Sequence, residues 1–348
     1  MIRTLIDLLY FFNSLSGFLV ALIFWTVVTV SFAKSIKKYA RIIYVVLGIL
    51  GLMTFLPVLS LWGITWMKVL FYPVISDIFI EYSHATYVIH PILVIIMYMG
   101  AFRPSIPAIA KLMNIRKELS IMVGFAVIPH AINRIIMVVP SAYQFFADRS
   151  TLEQQHEIVS VWGQGVMNAV FLLGILMTLL FIVLWVTSFT GIRRKMGFKK
   201  WKAVQRWSYV LYAMLFIHAV GIDTGMLITH IESQRMTQTV AQSLQSSNPH
   251  IQKMVDDATS KKKKTSFLGM TIKENNPADN GGKRGFGSKF KFSNVEFSTE
   301  CSCIANIFIL VVIYGSYLFF RLRKAFRDRT KKSRLYSNNE KQHIANQL

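Results

Sequence analysis

Two of the eight histidines stand inside long apolar runs: His130 in IMVGFAVIPHAINRI and His218 in WSYVLYAMLFIHAVGI. An imidazole can ligate a metal, relay a proton or hydrogen-bond to a neighbouring helix, and inside hydrocarbon its cost calls for one of these reasons. His130 lies thirteen residues beyond Lys117 and His218 thirteen beyond Gln205. At about 1.5 Å per residue both rings then stand roughly 20 Å from the same edge of a helical layer. Two imidazoles level on helices running the same way can share one metal, each ring nitrogen about 2 Å from it. A flat heme clamped between them would fill an apolar slot, whereas a bare zinc ion needs two further ligands that these runs scarcely offer. Simple hydrogen bonding of each ring to a neighbouring helix stays open.

Two more residues belong to this set. His90, with His84 nearer the outer end, lies in a run of opposite direction and is a candidate heme contact, as alternative ligand, propionate partner or proton relay. Pro91 directly after it predicts a local distortion. Arg134, one turn beyond His130, either pairs with a heme propionate or snorkels to headgroups.

The elements that must position these residues are spans. Of the 348 residues 53% are hydrophobic and only 16% charged, too few charges for an ordinary soluble domain. Seven runs are long enough to cross a hydrocarbon core about 30 Å thick, near 10–33, 40–62, 85–102, 118–139, 163–190, 204–222 and 304–320. The expected fold class is an all-α polytopic membrane bundle. The stretch 66–80, broken by Lys68, Pro73 and Asp77, reads as interfacial or re-entrant. The first run is too long for the apolar core of a signal peptide and no small-residue cleavage site follows it, so it reads as a span.

Net charge is +22, from 39 Lys and Arg against 17 Asp and Glu. Its placement argues against nucleic acid, because the cations fill short loops at 34–42, 103–117 and 191–206 and the tail from Arg321 onward, while the alternate loops are acidic or nearly neutral. The positive-inside rule then predicts an outer N-terminus and a cytoplasmic C-terminus in the inner membrane, in contact with lipid. Residues 223–302 form a polar insertion on the outer side. A polar helix is expected over 231–260 and a weak strand over 288–298, with Lys261–Lys264 a solvated run. The organisation is therefore 1–84, two extra spans and the interfacial segment; 85–222, the histidine-bearing bundle; 223–302, the insertion; and 303–348, the last span and basic tail. Cys301 and Cys303, at the outer mouth of the last span, read as incidental rather than as a redox pair.

Two segments resemble the ferric reductase-like transmembrane family, nearest its bacterial branch, the heme-binding membrane subunit of the periplasmic methionine sulfoxide reductase system. IRKELSIMVGFAVIPHAINRI (115–135) is similar to that family's basic pair, helix and first ligand histidine. VTSFTGIRRKMGFKKWKAVQRWSYVLYAMLFIH (186–218) is similar to its Thr-Ser, basic loop, Lys-Trp-Lys and aromatic helix ending in histidine. The helix before them, with GAFRPS (100–105), fits more loosely. The resemblance implies a heme b electron-transfer bundle, the membrane subunit of an oxidoreductase, with His130 and His218 as paired axial ligands. It also implies a departure: Gln205 stands before Arg206 where the family has a histidine, and Arg116 or Lys117 stands at the inner position opposite. One outer heme is therefore expected, not two.

A single outer heme lies far from a cytoplasmic flavin, so a membrane quinol or a separate flavoprotein is the expected donor and an extracytoplasmic redox protein the expected acceptor. No dinucleotide fingerprint follows a strand, and the 28 residues from Arg321 do not suffice for a flavin domain. The competing expectation is a non-redox transporter or assembly scaffold on the same bundle, with the histidines in proton relay or packing.

Overall fold

The structure, a computed structural model, describes residues 2–53, 85–103, 105–150, 160–247, 266–267, 270–272, 295–297 and 299–345. The 66–80 stretch and Lys261–Lys264 lie outside them. Helix α1 is Ile2–Ser31, followed by α2 (Ala33–Lys38) and α3 (Ala40–Met53). A π-helical turn, Ala85–Ile89, leads into α4 (His90–Met99); then come α5 (Pro107–Asn114), α6 (Arg116–Met137) and α7 (Val139–Ala147). Next are α8 (Val161–Val186), α9 (Thr190–Met196), α10 (Phe198–Gln205) and α11 (Ser208–Ser247). Strands β1 (Ser266–Phe267), β2 (Met270–Ile272) and β3 (Val295–Phe297) precede α12 (Thr299–Ala345).

Seven apolar helical segments thus stand where spans were expected. Four are long and apolar enough to cross a membrane, within α6, α8, α10–α11 and α12; Leu15–Ser31, Ala40–Met53 and Tyr87–Met99 are shorter. Large apolar side chains point outward along them, among them Phe24, Val27, Val45, Leu52, Leu176 and Phe308. In water such a surface would be untenable; in lipid it is the ordinary exterior. The chain is a helical membrane protein.

Helix α4 is the hub. All its residues but Tyr98 are buried, as expected of a helix that is apolar all round. It packs on α1 and α6. It meets α12 through the Tyr98 hydroxyl, which donates to the Ile313 carbonyl at 2.6 Å and lies 2.6 Å from Ser316 Oγ. Helix α1 bends at Ser16, whose φ of −158° is extended, and Ser16 Oγ accepts from the Leu19 amide as a fresh N-cap. At the adjacent Gly17 a Cβ would fall 2.7 Å from the Tyr87 hydroxyl, so only glycine lets the π-turn approach so closely.

Helices α8 and α11 form the most extensive pairing, followed by α11 with α12. Its closeness comes from small residues. A Cβ on Gly225 would lie 2.9 Å from the Gly163 carbonyl and collide with Met167; one on Gly221 would collide with Val170. Gly221 and Gly225 form a GxxxG pair, the spacing that lets two membrane helices bring their backbones together.

Three sequence boundaries move. Helix α11 does not stop near 222: its polar continuation, ESQRMTQTVAQSLQSS, carries it to Ser247 in one helix, because these residues sustain backbone hydrogen bonds in water as well as in lipid. The chain breaks at Arg206–Trp207, where amides bond three residues back, to Ala203 and Val204. The thirteen residues counted from Gln205 to His218 therefore cross a break, since α11 itself begins at Ser208. Finally, part of the insertion is an antiparallel sheet in the order β1-β2-β3, with Thr271 opposite Ser266 and Glu296, and only β3 falls within the expected 288–298 strand.

The basic segments gather at one end. Lys37 Nζ donates to Asn114 Oδ1 at 2.6 Å, joining α2 to α5, and Arg116, Ser208 and Arg321 border one cavity. Two of the short basic loops, Ser208 two residues past the third and the start of the tail thus share a face of the bundle.

Candidate functional site

His218 is fixed by its own neighbours. Its Nδ1–H donates to the Val170 carbonyl of α8 at 2.7 Å. That carbonyl is reachable because the next turn of α8 carries Gly174, where a Cβ would already sit 3.5 Å from His218 Cε1. The edge of the ring meets Phe171, centroids 6.4 Å apart. With Nδ1 carrying the proton, Nε2 keeps its lone pair, and among the described residues no hydrogen bond occupies it. This is the tautomer a metal-ligating histidine requires, oriented by a backbone carbonyl in the second layer.

His130 follows Pro129 in α6. It lies on the same stripe as Leu119, Val123 and Ala126, which are 0%, 1% and 3% exposed and belong to the core. Pro129 cannot donate to the Phe125 carbonyl, and α3 closes on that spot through Gly51, where a Cβ would lie 2.8 Å from the Phe125 oxygen. The helix is thus locally loosened one residue before the candidate ligand. Arg134, one turn further, is exposed, and its charge reaches His218. The C-terminal part of α6 and the His218 ring are therefore electrostatic neighbours.

His90 is 7% exposed and occupied otherwise than expected of an alternative ligand. Its Nε2 lies 3.0 Å from the Tyr314 hydroxyl of α12, and its ring packs on Phe18 with centroids 4.5 Å apart. It too is within Coulombic reach of His218. The structure brings His218, His90 and Arg134 into one electrostatic neighbourhood, with Tyr314 behind His90.

Gln205 holds no ligand-like position. Its Nε2 donates to Thr187 Oγ1 at 2.9 Å and to the Leu184 carbonyl at 3.2 Å, tying the end of α10 to the end of α8. Trp201 Nε1 reinforces this tie by donating to the Thr187 carbonyl at 3.1 Å. Among the described residues, no group of three or more His, Cys, Asp or Glu is placed to hold a metal ion. Two features escaped the sequence reading: the Val170 carbonyl, which no side-chain motif announces, and the Gly221/Gly225 pair, whose four-residue spacing could have been seen.

Comparison with known proteins gives a match to one family model. Residues 91–216 match the family model described as ferric reductase like transmembrane component. The matched region runs from α4 into α11, stops two residues short of His218, and contains His130. Over those residues, little more than a third of the chain, the protein is similar to that transmembrane component. An uncharacterized protein of Treponema pallidum (strain Nichols) is 48% identical over 42 residues, a match covering 12% of each chain. No solved structure matches.

Proposed function

We propose that this protein is a membrane-embedded heme b electron-transfer component, with one heme held by His130 and His218 toward the outer face of the inner membrane. The N-terminus lies outside and the basic tail in the cytoplasm, the orientation that the clustering of the basic segments at one end supports. The observation that carries the reading is the His218 Nδ1 to Val170 hydrogen bond, which leaves Nε2 competent to ligate iron. The chain's residues fit the group: an oriented imidazole on α11, a second on the core stripe of α6, and the Arg134 cation for a propionate.

When bound, heme supplies the one-electron chemistry. The protein's part is to fix the tautomer of His218, to keep the slot apolar and to set its electrostatics through Arg134 and His90. Gln205, engaged with α8, supports a single heme. Electrons come from a quinol or a separate flavoprotein and leave to an extracytoplasmic partner. The test is a dithionite-reduced minus oxidised spectrum of the purified protein, compared with His130→Ala and His218→Ala.

A second reading, a non-redox transporter or assembly scaffold, draws on one observation: His90 and His218 both already have protein hydrogen-bond partners, which is all that a packing role needs. A colourless protein that moves a solute would favour it.

A further inference from the structure

At the basic end, away from the histidines, a cavity of about 210 Å³ opens between α4, α6, α11 and α12. That is far above the ~10–15 Å³ that a single water needs. Its polar side chains include Arg116, Ser208, Tyr212, Tyr317, Arg321 and Lys324, and no carboxylate lines it.

Two of the cations are held in place. Arg321 donates to the Gly100 carbonyl at 3.1 Å and to the Tyr209 hydroxyl; Lys324 donates to the Gly100 carbonyl at 2.9 Å. Both sit at the C-terminal end of α4, where cations are favoured. Arg116 is different: among the described residues its guanidinium makes no hydrogen bond, although its charge reaches Tyr212, Tyr317 and Lys324. The nearby acids lie outside the lining: Glu118 pairs with Lys117 at 3.4 Å and acts on Tyr44 of α3, while Asp328, exposed one turn beyond Lys324, acts on that lysine.

The second observation lies in the wall. Tyr212 is 7% exposed and Tyr317 9%, and both phenols border the cavity. The cavity therefore presents hydrogen-bond donors and positive charge with no carboxylate in its lining.

We propose that this cavity binds a phosphate group, with Arg116 as the uncommitted cation and Tyr212 and Tyr317 as donors to its oxygens. The group is carried either by an anionic lipid headgroup or by a soluble phosphate. The proposal stands apart from the heme reading, and its test needs no heme.

The experiment is calorimetric titration and thermal melting of the full-length protein in neutral detergent at constant ionic strength. The probes are inorganic phosphate and, separately, a short-chain phosphatidic acid with the matching diacylglycerol as blank. Wild type is expected to bind with a raised Tm; Arg116→Gln and Tyr212→Phe each weaken binding about tenfold, the loss typical of one charge-assisted hydrogen bond. Arg194→Gln, an exposed cation on α9, leaves binding unchanged. Binding of phosphatidic acid alone, or far more tightly than inorganic phosphate, assigns a lipid; binding of inorganic phosphate alone, or equally tightly, assigns a soluble phosphate. The proposal fails if neither probe binds wild type. It fails equally if Arg116→Gln and Tyr212→Phe variants with wild-type Tm bind as wild type does, or if Arg194→Gln weakens binding as much as Arg116→Gln.

Discussion

His218 and Val170 are joined across the α8–α11 interface by a 2.7 Å hydrogen bond in which the ring donates from Nδ1. The bond exists because glycines let the two helices close on each other and because Gly174 leaves the carbonyl uncovered. One contact thus links a packing motif to the protonation state of a candidate ligand.

Gly174 tests that link. A methyl at this position meets His218 Cε1 at an ordinary contact distance, so Gly174→Ala should leave the spectrum of a bound heme intact. Gly174→Val places a second methyl against the ring and should shift or abolish it. Both variants are read by the reduced-minus-oxidised difference spectrum at matched protein concentration.

The glycine crossing predicts a stability contrast. Gly163→Ala drives a methyl into Thr229 and the Gly225 carbonyl, and overpacking of this kind costs about 1–3 kcal/mol. Gly191→Ala, inside α9 with nothing within 4 Å, should gain roughly 0.5–1 kcal/mol from helix propensity. Thermal melting in detergent should move in opposite directions for the two.

His90 and Tyr314 offer a separate check. Tyr314→Phe removes the partner of a buried imidazole and should cost about 1–3 kcal/mol. If His90 packs rather than ligates, the heme spectrum survives that substitution, and its loss would reassign His90 to the iron.

Gln205→His restores the residue type that the resemblance places there, yet Arg116 and Lys117 leave no imidazole opposite. Heme content measured against protein should therefore stay at one per chain. The variant also loses the tie to Thr187 and Leu184, so its Tm should fall.

Much of the bundle was legible because hydrocarbon imposes long apolar runs: each expected span has a described helix within it. What lay beyond reach had physical reasons. The kink at Ser16 is set by a local side-chain cap, not by composition. The polar helix expected from 231 is helical to Ser247, but its fusion with the span into one helix was not visible, since the change in hydrophobicity near 222 marks no break in the backbone. At the site, His130 and His218 stood out by their cost in hydrocarbon, their matched depth and the family resemblance, His90 by its cost, and Arg134 by its spacing from His130. Their partners were not: a backbone carbonyl at Val170 and a hydroxyl more than two hundred residues from His90 leave no local trace. Pro129 and the Gly221/Gly225 pair did leave one, in spacing.

The central claim is that His130 and His218 clamp one heme. The most direct test is heme stoichiometry with the reduced-minus-oxidised spectrum, taken on purified wild type, His130→Ala and His218→Ala. One bis-histidine heme per chain in wild type, lost in both variants while each keeps its fold, is the predicted result; a colourless wild type, or a heme signal that survives either substitution, contradicts it.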